Sequence, residues 1–387
     1  MKIINKFLLF GLAVSISICL TSCNTEELQD LNINPQAVNE IDLNFMFTAA
    51  QFGSASGGSA GDNRYLDWRT NIGMTAYLIQ HLANAGGGIA PGDKYTENFE
   101  SNSAPFEFFY GDALKNISEV IKQTGPGGYD EGNKVNTRNA ARIMRVLNFH
   151  RLTDFYGNVP YFNALQGMEG VFFPEYDEQS AIYPDLLKEL EEATVAISTS
   201  NPDDGFAKAD IIYEGDITKW KKFGYSLMLR LAMRVSNVAP QLADEYVTKA
   251  IAGGVMENND DNAWVPMSEG PSLWINQNGI SRAFYPGDGG QPTYLSNTLV
   301  DWLKAGATSA DQVDPRLMII SGGIADWSAV AWTPTNTNPL EQKGMPNGYD
   351  GAGLDELEGE SVDLVTTYSR INYLMLQRDA PYIFMNY

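Results

Sequence analysis

The stretch Ala140-Ala141-Arg142-Ile143-Met144-Arg145-Val146-Leu147-Asn148-Phe149-His150-Arg151-Leu152-Thr153-Asp154-Phe155-Tyr156 decides the fold class. No glycine or proline breaks it, and at about 100° per residue Ile143, Val146, Leu147, Phe149, Leu152 and Phe155 fall on almost every face. A helix that is apolar around most of its circumference must be covered by other helices, so this one belongs at the centre of a helical array.

Its neighbours in sequence supply the partners. Phe106, Tyr110, Ala113, Ile117, Val120 and Ile121 form one stripe, and Leu186, Leu190, Ala193 and Ile197 form another on a helix opened by Tyr183-Pro184. Trp220, Phe223, Leu227, Leu231 and Val235 line a fourth helix, with Arg230 and Arg234 beside them. The order predicts two hairpins, 106–123 with 137–156 and 182–198 with 218–238. Trp220-Lys221-Lys222-Phe223-Gly224 approaches the Trp-x-x-Leu-Gly opening of a tetratricopeptide unit. Stacking is the economical solution, because a lone helix pair cannot bury its apolar face.

After about Gly253 the pattern changes. Between Asn258 and Pro346 lie Trp264, Trp274, Trp302, Trp327 and Trp332, and glycine, proline and asparagine interrupt the chain too often for long helices. The expected fold is therefore mostly α: tetratricopeptide-like hairpins over 41–252, then a loop-rich, aromatic-rich lobe over 253–380 with short helices and a few strands.

The N-terminus is read separately. Lys2 and Lys6 precede the apolar run Phe7–Leu20, which is shorter than the ~20 residues of a membrane-spanning helix, and small residues follow. Residues 1–22 are thus an expected signal peptide. Leu20-Thr21-Ser22-Cys23 resembles the lipobox of bacterial lipoproteins, which implies lipid attachment at Cys23, with 23–40 as a polar tether. The other cysteine, Cys19, lies inside the discarded segment, so a disulfide is not expected.

Against 48 acidic residues stand 26 basic ones, a net charge of −22. Nucleic acid and anionic membrane faces are repelled by such a surface, and a neutral ligand suits it better.

Catalytic motifs are weak. Gly57-Gly58-Ser59-Ala60-Gly61 spells the hydrolase pattern G-x-S-x-G, but it lies in a run of small residues, and His81 and His150 both come too early for the usual order of that triad. It reads as a loop, and His150 as a core histidine. Asn258, Asp260, Asn262, Trp264 and Glu269 follow an EF-hand spacing, with Ala263 where the sharp turn wants glycine and Pro266 at the ninth position. No cofactor or metal is expected. The carboxylates leave one alternative open, a secreted glycoside hydrolase using a carboxylate pair.

Arg151-Leu152-Thr153-Asp154-Phe155-Tyr156-Gly157-Asn158-Val159-Pro160-Tyr161 resembles a signature of SusD/RagB-type nutrient-binding lipoproteins. Asn32-Ile33-Asn34-Pro35, Lys219-Trp220-Lys221-Lys222-Phe223, Leu229-Arg230-Leu231, Asp314-Pro315-Arg316-Leu317 and Ala380-Pro381-Tyr382 resemble further landmarks in the same order. The resemblance implies a lipid-anchored protein of the outer membrane, facing outside, that captures glycans or other oligomeric nutrients. It also implies delivery to a SusC-like TonB-dependent outer-membrane transporter, without catalysis. In that family the segment like Pro381-Tyr382 introduces a closing helix pair, so 381–387 is expected to begin a final helix whose remainder is missing. Sugar binding uses aromatic faces with amides for the hydroxyls, which makes Trp274, Asn276, Tyr285 and Trp332 the candidate ligand contacts.

Overall fold

The computed structural model describes residues 41–56, 66–85, 92–96, 98–203, 205–269, 276–284, 293–326, 333–372 and 376–387. Leu43–Tyr387 form one compact unit. Its first part is the helical array. Helix α1 spans Leu43–Ser56, and a π-helix spans Leu66–Ala76. Then α2 (Phe99–Phe108) runs through a π-helical turn, Phe109–Ala113, into α3 (Leu114–Gln123). The long α4 (Val135–Tyr156) and α5 (Gln179–Ala196) follow, then the single turn α6 (Phe206–Ala209), α7 (Ile217–Arg234) and α8 (Pro240–Gly253).

Packing follows chain order: α3 lies on α4, α4 on α5, α5 on α7, and α7 on α8. The stripe residues are where burial requires them, with Ile117, Val120, Leu147, Phe149, Leu186, Leu190, Trp220 and Leu227 all inside. Gly224 shows why the second helix of a pair opens with a glycine after its aromatic residues. A Cβ there would sit 2.2 Å from Thr194 Oγ1 on α5, so only glycine lets α5 and α7 approach this closely.

Two helix starts differ from the sequence reading. The expected 106–123 helix begins earlier, at Phe99, because Asn98 caps it by accepting the Ser101 N–H at 2.9 Å. Likewise α5 begins at Gln179 rather than Tyr183. Glu178 carbonyl already takes the Ala181 and Ile182 N–H groups, and Pro184 is carried inside the helix.

The turn after α4 is built as its letters suggest. Gly157 adopts φ +77° and donates to Thr153 carbonyl at 2.8 Å, and Asp177 Oδ2 accepts the N–H groups of Tyr161 and Phe162.

In the second part, β2 (Ala263–Val265) pairs antiparallel with β7 (Tyr382–Met385) against α1. This corrects one expectation: 382–385 is a strand, not the start of a helix, and its Phe384 and Met385 join the array's core. Alternation of exposed Ile383 with buried Phe384 suits a half-buried strand.

A second, antiparallel sheet has the order β1-β3-β6-β4-β5, from β1 (Leu82–Ala83), β3 (Tyr294–Leu295), β4 (Ser321–Asp326), β5 (Thr333–Asn336) and β6 (Arg370–Ile371). Short helices surround it: α9 (Gly279–Phe284), α10 (Asn297–Lys304), α11 (Arg316–Ile320), α12 (Gly351–Glu358) and α13 (Leu364–Thr367). A separate apolar cluster joins Ile72, Tyr77 and Leu82 to Phe284, Leu295, Val300 and Leu317. The expected mostly-α fold of stacked hairpins with a loop-rich part of short helices and few strands is the one observed.

Candidate functional site

The π-helix and the start of α2 face each other across a cleft of about 340 Å³. Its floor is Gly73 and Met74 of the π-helix with Leu78, and its far wall is Asn98, Ser101 and Asn102. π-Helical segments recur at functional sites because the extra residue per turn re-aims neighbouring backbone. Here the segment is pinned to the wall. Thr70 Oγ1 donates to Ser101 carbonyl at 2.7 Å, Arg69 pairs with Glu100 at 3.3 Å, and Tyr156 hydroxyl donates to Asn102 carbonyl.

The rim is the short turn Gly92–Lys94 followed by Tyr95 and Thr96. Gly92 presses on the floor, since a Cβ there would come within 2.6 Å of Met74 carbonyl oxygen. Buried Asp93 receives the Gly348 N–H at 3.4 Å and pairs with Lys94 at 3.1 Å, while Lys94 also donates to Asn84 carbonyl at 2.5 Å. These contacts hold the rim from both sides.

Tyr95 is 74% exposed and has φ +54°, a left-handed conformation that bulky residues avoid. Exposed ring and strained backbone together present an aromatic face to solvent over a cleft whose wall carries two amides. Such an arrangement can stack on a flat C–H surface and satisfy hydroxyl groups; none of these atoms is a nucleophile poised against a base.

Four of the five site residues expected from the sequence, Cys23, Trp274, Tyr285 and Trp332, lie outside the described residues, as does the Gly57–Gly61 stretch. Asn276 is half-buried, and its carbonyl accepts the Ser268 N–H at 2.7 Å. The adjacent amides serve the fold. Gln277 Nε2 donates to Glu269 carbonyl, and Asn278 both caps α9 through Ser281 N–H and donates to Ala380 carbonyl at 3.1 Å.

The EF-hand spacing does not close into a loop. Asn258 and Asn262 each spend Oδ1 on a backbone N–H, and the chain extends into β2, which contains Trp264. His150 is in the core, 3.0 Å from Asp154; burial pushes its pKa down against the pull of that carboxylate. Tyr95 and its cleft were missed by the sequence reading. The available signal was an aromatic residue in a glycine-, lysine- and asparagine-bearing loop just ahead of a capped helix.

Comparison with known proteins places this site in context. A family profile described as "Starch-binding associating with outer membrane" matches residues 35–387, and the chain belongs to this SusD-like family. The fold is similar to that of a solved "chitin-binding protein", with a TM-score of 0.70 and 29% identity over 89% of this chain and 68% of that one. A Bacteroidetes AC2a SusD-like structure gives a TM-score of 0.68 at 23% identity, covering 90% of this chain and 70% of the other. A SusD homologue from Bacteroides vulgatus gives 0.67 at 22% identity, covering 88% and 62%. No curated protein matches the sequence significantly. Among the described residues no helix is long and apolar enough to cross a membrane.

Proposed function

We propose that the protein is a surface lipoprotein that binds glycans without cleaving them and hands them to a SusC-like TonB-dependent transporter in the outer membrane. The observation that carries the binding reading is the exposed, backbone-strained Tyr95 over the cleft walled by Asn98 and Asn102. Family membership supports a glycan as the ligand, and the likeness to a chitin-binding protein favours oligomers of N-acetylated sugars. Trp274, Asn276, Tyr285 and Trp332 are proposed as further ligand contacts on their residue types. The anchor is the lipid on Cys23.

Calorimetric titration with chitin and starch oligosaccharides tests the reading. Tyr95→Ala is expected to weaken binding by ~1–3 kcal/mol with an unchanged melting temperature. Equal affinity in variant and parent moves the site elsewhere, and parallel titrations of Trp274→Ala, Tyr285→Ala and Trp332→Ala then show whether it lies among those residues. New reducing ends appearing during titration would replace binding with hydrolysis. Cys23→Ala is expected to be exported but to lose partition with membranes, because the diacyl chains supply ~0.8 kcal/mol per buried CH₂. Membrane retention of that variant in fractionation removes the lipid assignment.

A further inference from the structure

The connection between α4 and α5 carries apolar side chains that the fold leaves in water. Phe162, Met168, Phe172, Phe173 and Tyr176 are all exposed, Met168 and Phe173 to 94%, and no other stretch of this length among the described residues exposes as many large hydrophobic side chains. Looseness does not explain them. Gln166 carbonyl accepts the Glu169 and Val171 N–H groups, Gly170 at φ +88° donates to Gly167 carbonyl at 3.1 Å, and Lys122 of α3 pairs with Glu169. At the far end Val159 and Asp177 exchange backbone hydrogen bonds of 3.3 and 3.0 Å, and Tyr176 stacks on Phe106 of α2 with ring centroids 6.5 Å apart. The segment is held in its exposed form, and an apolar surface so held marks a contact site formed before its partner arrives.

Its chemistry narrows the occupant. Phenylalanine and methionine have nothing to offer a sugar hydroxyl but are the side chains that seat in protein interfaces. Consecutive side chains of a non-helical segment point away from each other, and Phe172 and Phe173 are both exposed, so the segment is a ridge that fits a groove better than a flat sheet. From Phe162 to Glu178 the charged residues are Glu169, Glu175, Asp177 and Glu178, with no lysine, arginine or histidine. Two copies joined ridge to ridge would set these carboxylates against each other, and anionic lipid would be repelled as well.

Position supplies the partner. Tyr156 hydroxyl accepts the Phe106 N–H at 3.1 Å and donates to Asn102 carbonyl, so the ring beneath Tyr176 lies one helical turn from the amide wall of the Tyr95 cleft. A protein seated on the ridge is beside the ligand in that cleft. We propose that the 162–176 ridge docks into a groove, apolar at its floor and basic at its rim, on the outward face of the transporter that receives the ligand. This rests on the transporter reading above and adds the face by which the two chains join.

The test is co-purification in mild detergent of the full chain, tagged, with the SusC-like barrel of its own locus. The parent is expected to retain the barrel, and Phe172→Ser combined with Phe173→Ser to recover it tenfold less or worse, with melting temperature and glycan titration unchanged. Glu175→Lys reverses a charge beside Tyr176 and is expected to lower recovery severalfold. Val238→Ser, an exposed apolar change between α7 and α8, is expected to leave recovery at the parent's level. A parent that recovers no barrel removes the transporter reading and this proposal with it. Where the parent recovers the barrel, full recovery in the double variant or in Glu175→Lys, or an equal loss in Val238→Ser, overturns the ridge alone. So does a dimer of the parent in sedimentation that the double change disperses, or binding of Cys23→Ala to phosphatidylethanolamine vesicles that the double change abolishes.

Discussion

The helical array and the sheet-bearing part of the chain hold together by different means. In the array, α3, α4, α5, α7 and α8 pack in chain order with α1 laid against α3, α4 and α6, and the centre is aromatic and aliphatic. Trp220 is wholly buried, with Phe47, Phe206, Tyr213 and Phe223 around it at ring separations of 5.6–6.5 Å. Its indole N–H donates to Asp210 Oδ2 at 2.7 Å, and Asp210 takes three further backbone N–H groups from the turn before α7. In the second part the strands are two to six residues long, and side-chain amides do what long ladders would do elsewhere. Gln342, 1% exposed, donates to the carbonyls of Asn336 and Asn338 and accepts from Ser321 and Ser369 hydroxyls. One region is thus organised by burial of periodic apolar surface, the other by directional bonds from a buried side-chain amide.

This contrast can be broken at its strongest point first. Trp220→Ala opens a large cavity at the centre of the array and removes one of the four donors to buried Asp210, so unfolding free energy is expected to fall by ~3–5 kcal/mol. Urea denaturation followed by far-ultraviolet circular dichroism measures it. A loss below 1 kcal/mol would mean that the array is not held by this centre.

Gln342→Leu keeps the volume but leaves two hydroxyls and two carbonyls without their partner. The expected loss is ~2–3 kcal/mol, from unsatisfied buried polar groups rather than from lost apolar area. Hydrogen exchange should localise the loosening to β4, β6 and the segment 336–343, with α4 and α7 still protected. Uniform loss of protection across both regions would contradict the division.

The same contrast explains what could be read from the letters. A helix repeats its environment every turn, so the apolar stripes of α3, α4, α5 and α7 declare both the element and its buried face. Helices α1 and α8 were covered only by the broad reading of 41–252. Leu43–Ser56 carries few charged or strongly polar residues to mark an outer face, and α8 is a short run between proline and glycine. The strands have two-residue members with no alternation to detect, and β7 was mistaken for a helix start because Pro381 suits either. The Tyr95 cleft draws on the π-helix, the rim turn and the cap of α2, and nothing local says that Gly92 rests on Met74. Tyr95 was therefore not distinguishable as a site residue from its local sequence.

The smallest expected effect lies where the two regions meet. Asp67 of the π-helix is fully buried, and its Oδ1 accepts from Asn71 at 2.6 Å, while Oδ2 has no hydrogen-bond partner among the described residues. Arg151 of α4 and Tyr382 of β7 are the charged and titratable groups that act on it. Burial pushes its pKa up to about 7, with Asn71 and Arg151 pulling the other way. Its unfolded value is near 3.8, so between these limits the folded protein binds the extra proton. Stability therefore declines as pH rises through that window and levels off above about 7. Asp67→Asn keeps the bond from Asn71 and removes the titration. The variant is expected to match the parent near pH 4 and to exceed it by ~1–2 kcal/mol at pH 8, less than the ~1.4 kcal/mol per unit of the whole shift because the site can relax around the charge. Thermal melts of both proteins at intervals from pH 4 to pH 8 measure the difference. If it stays constant over that range, Asp67 is ionised throughout and paired with Arg151, and the seam between array and sheet is held by an ion pair rather than by a protonated acid.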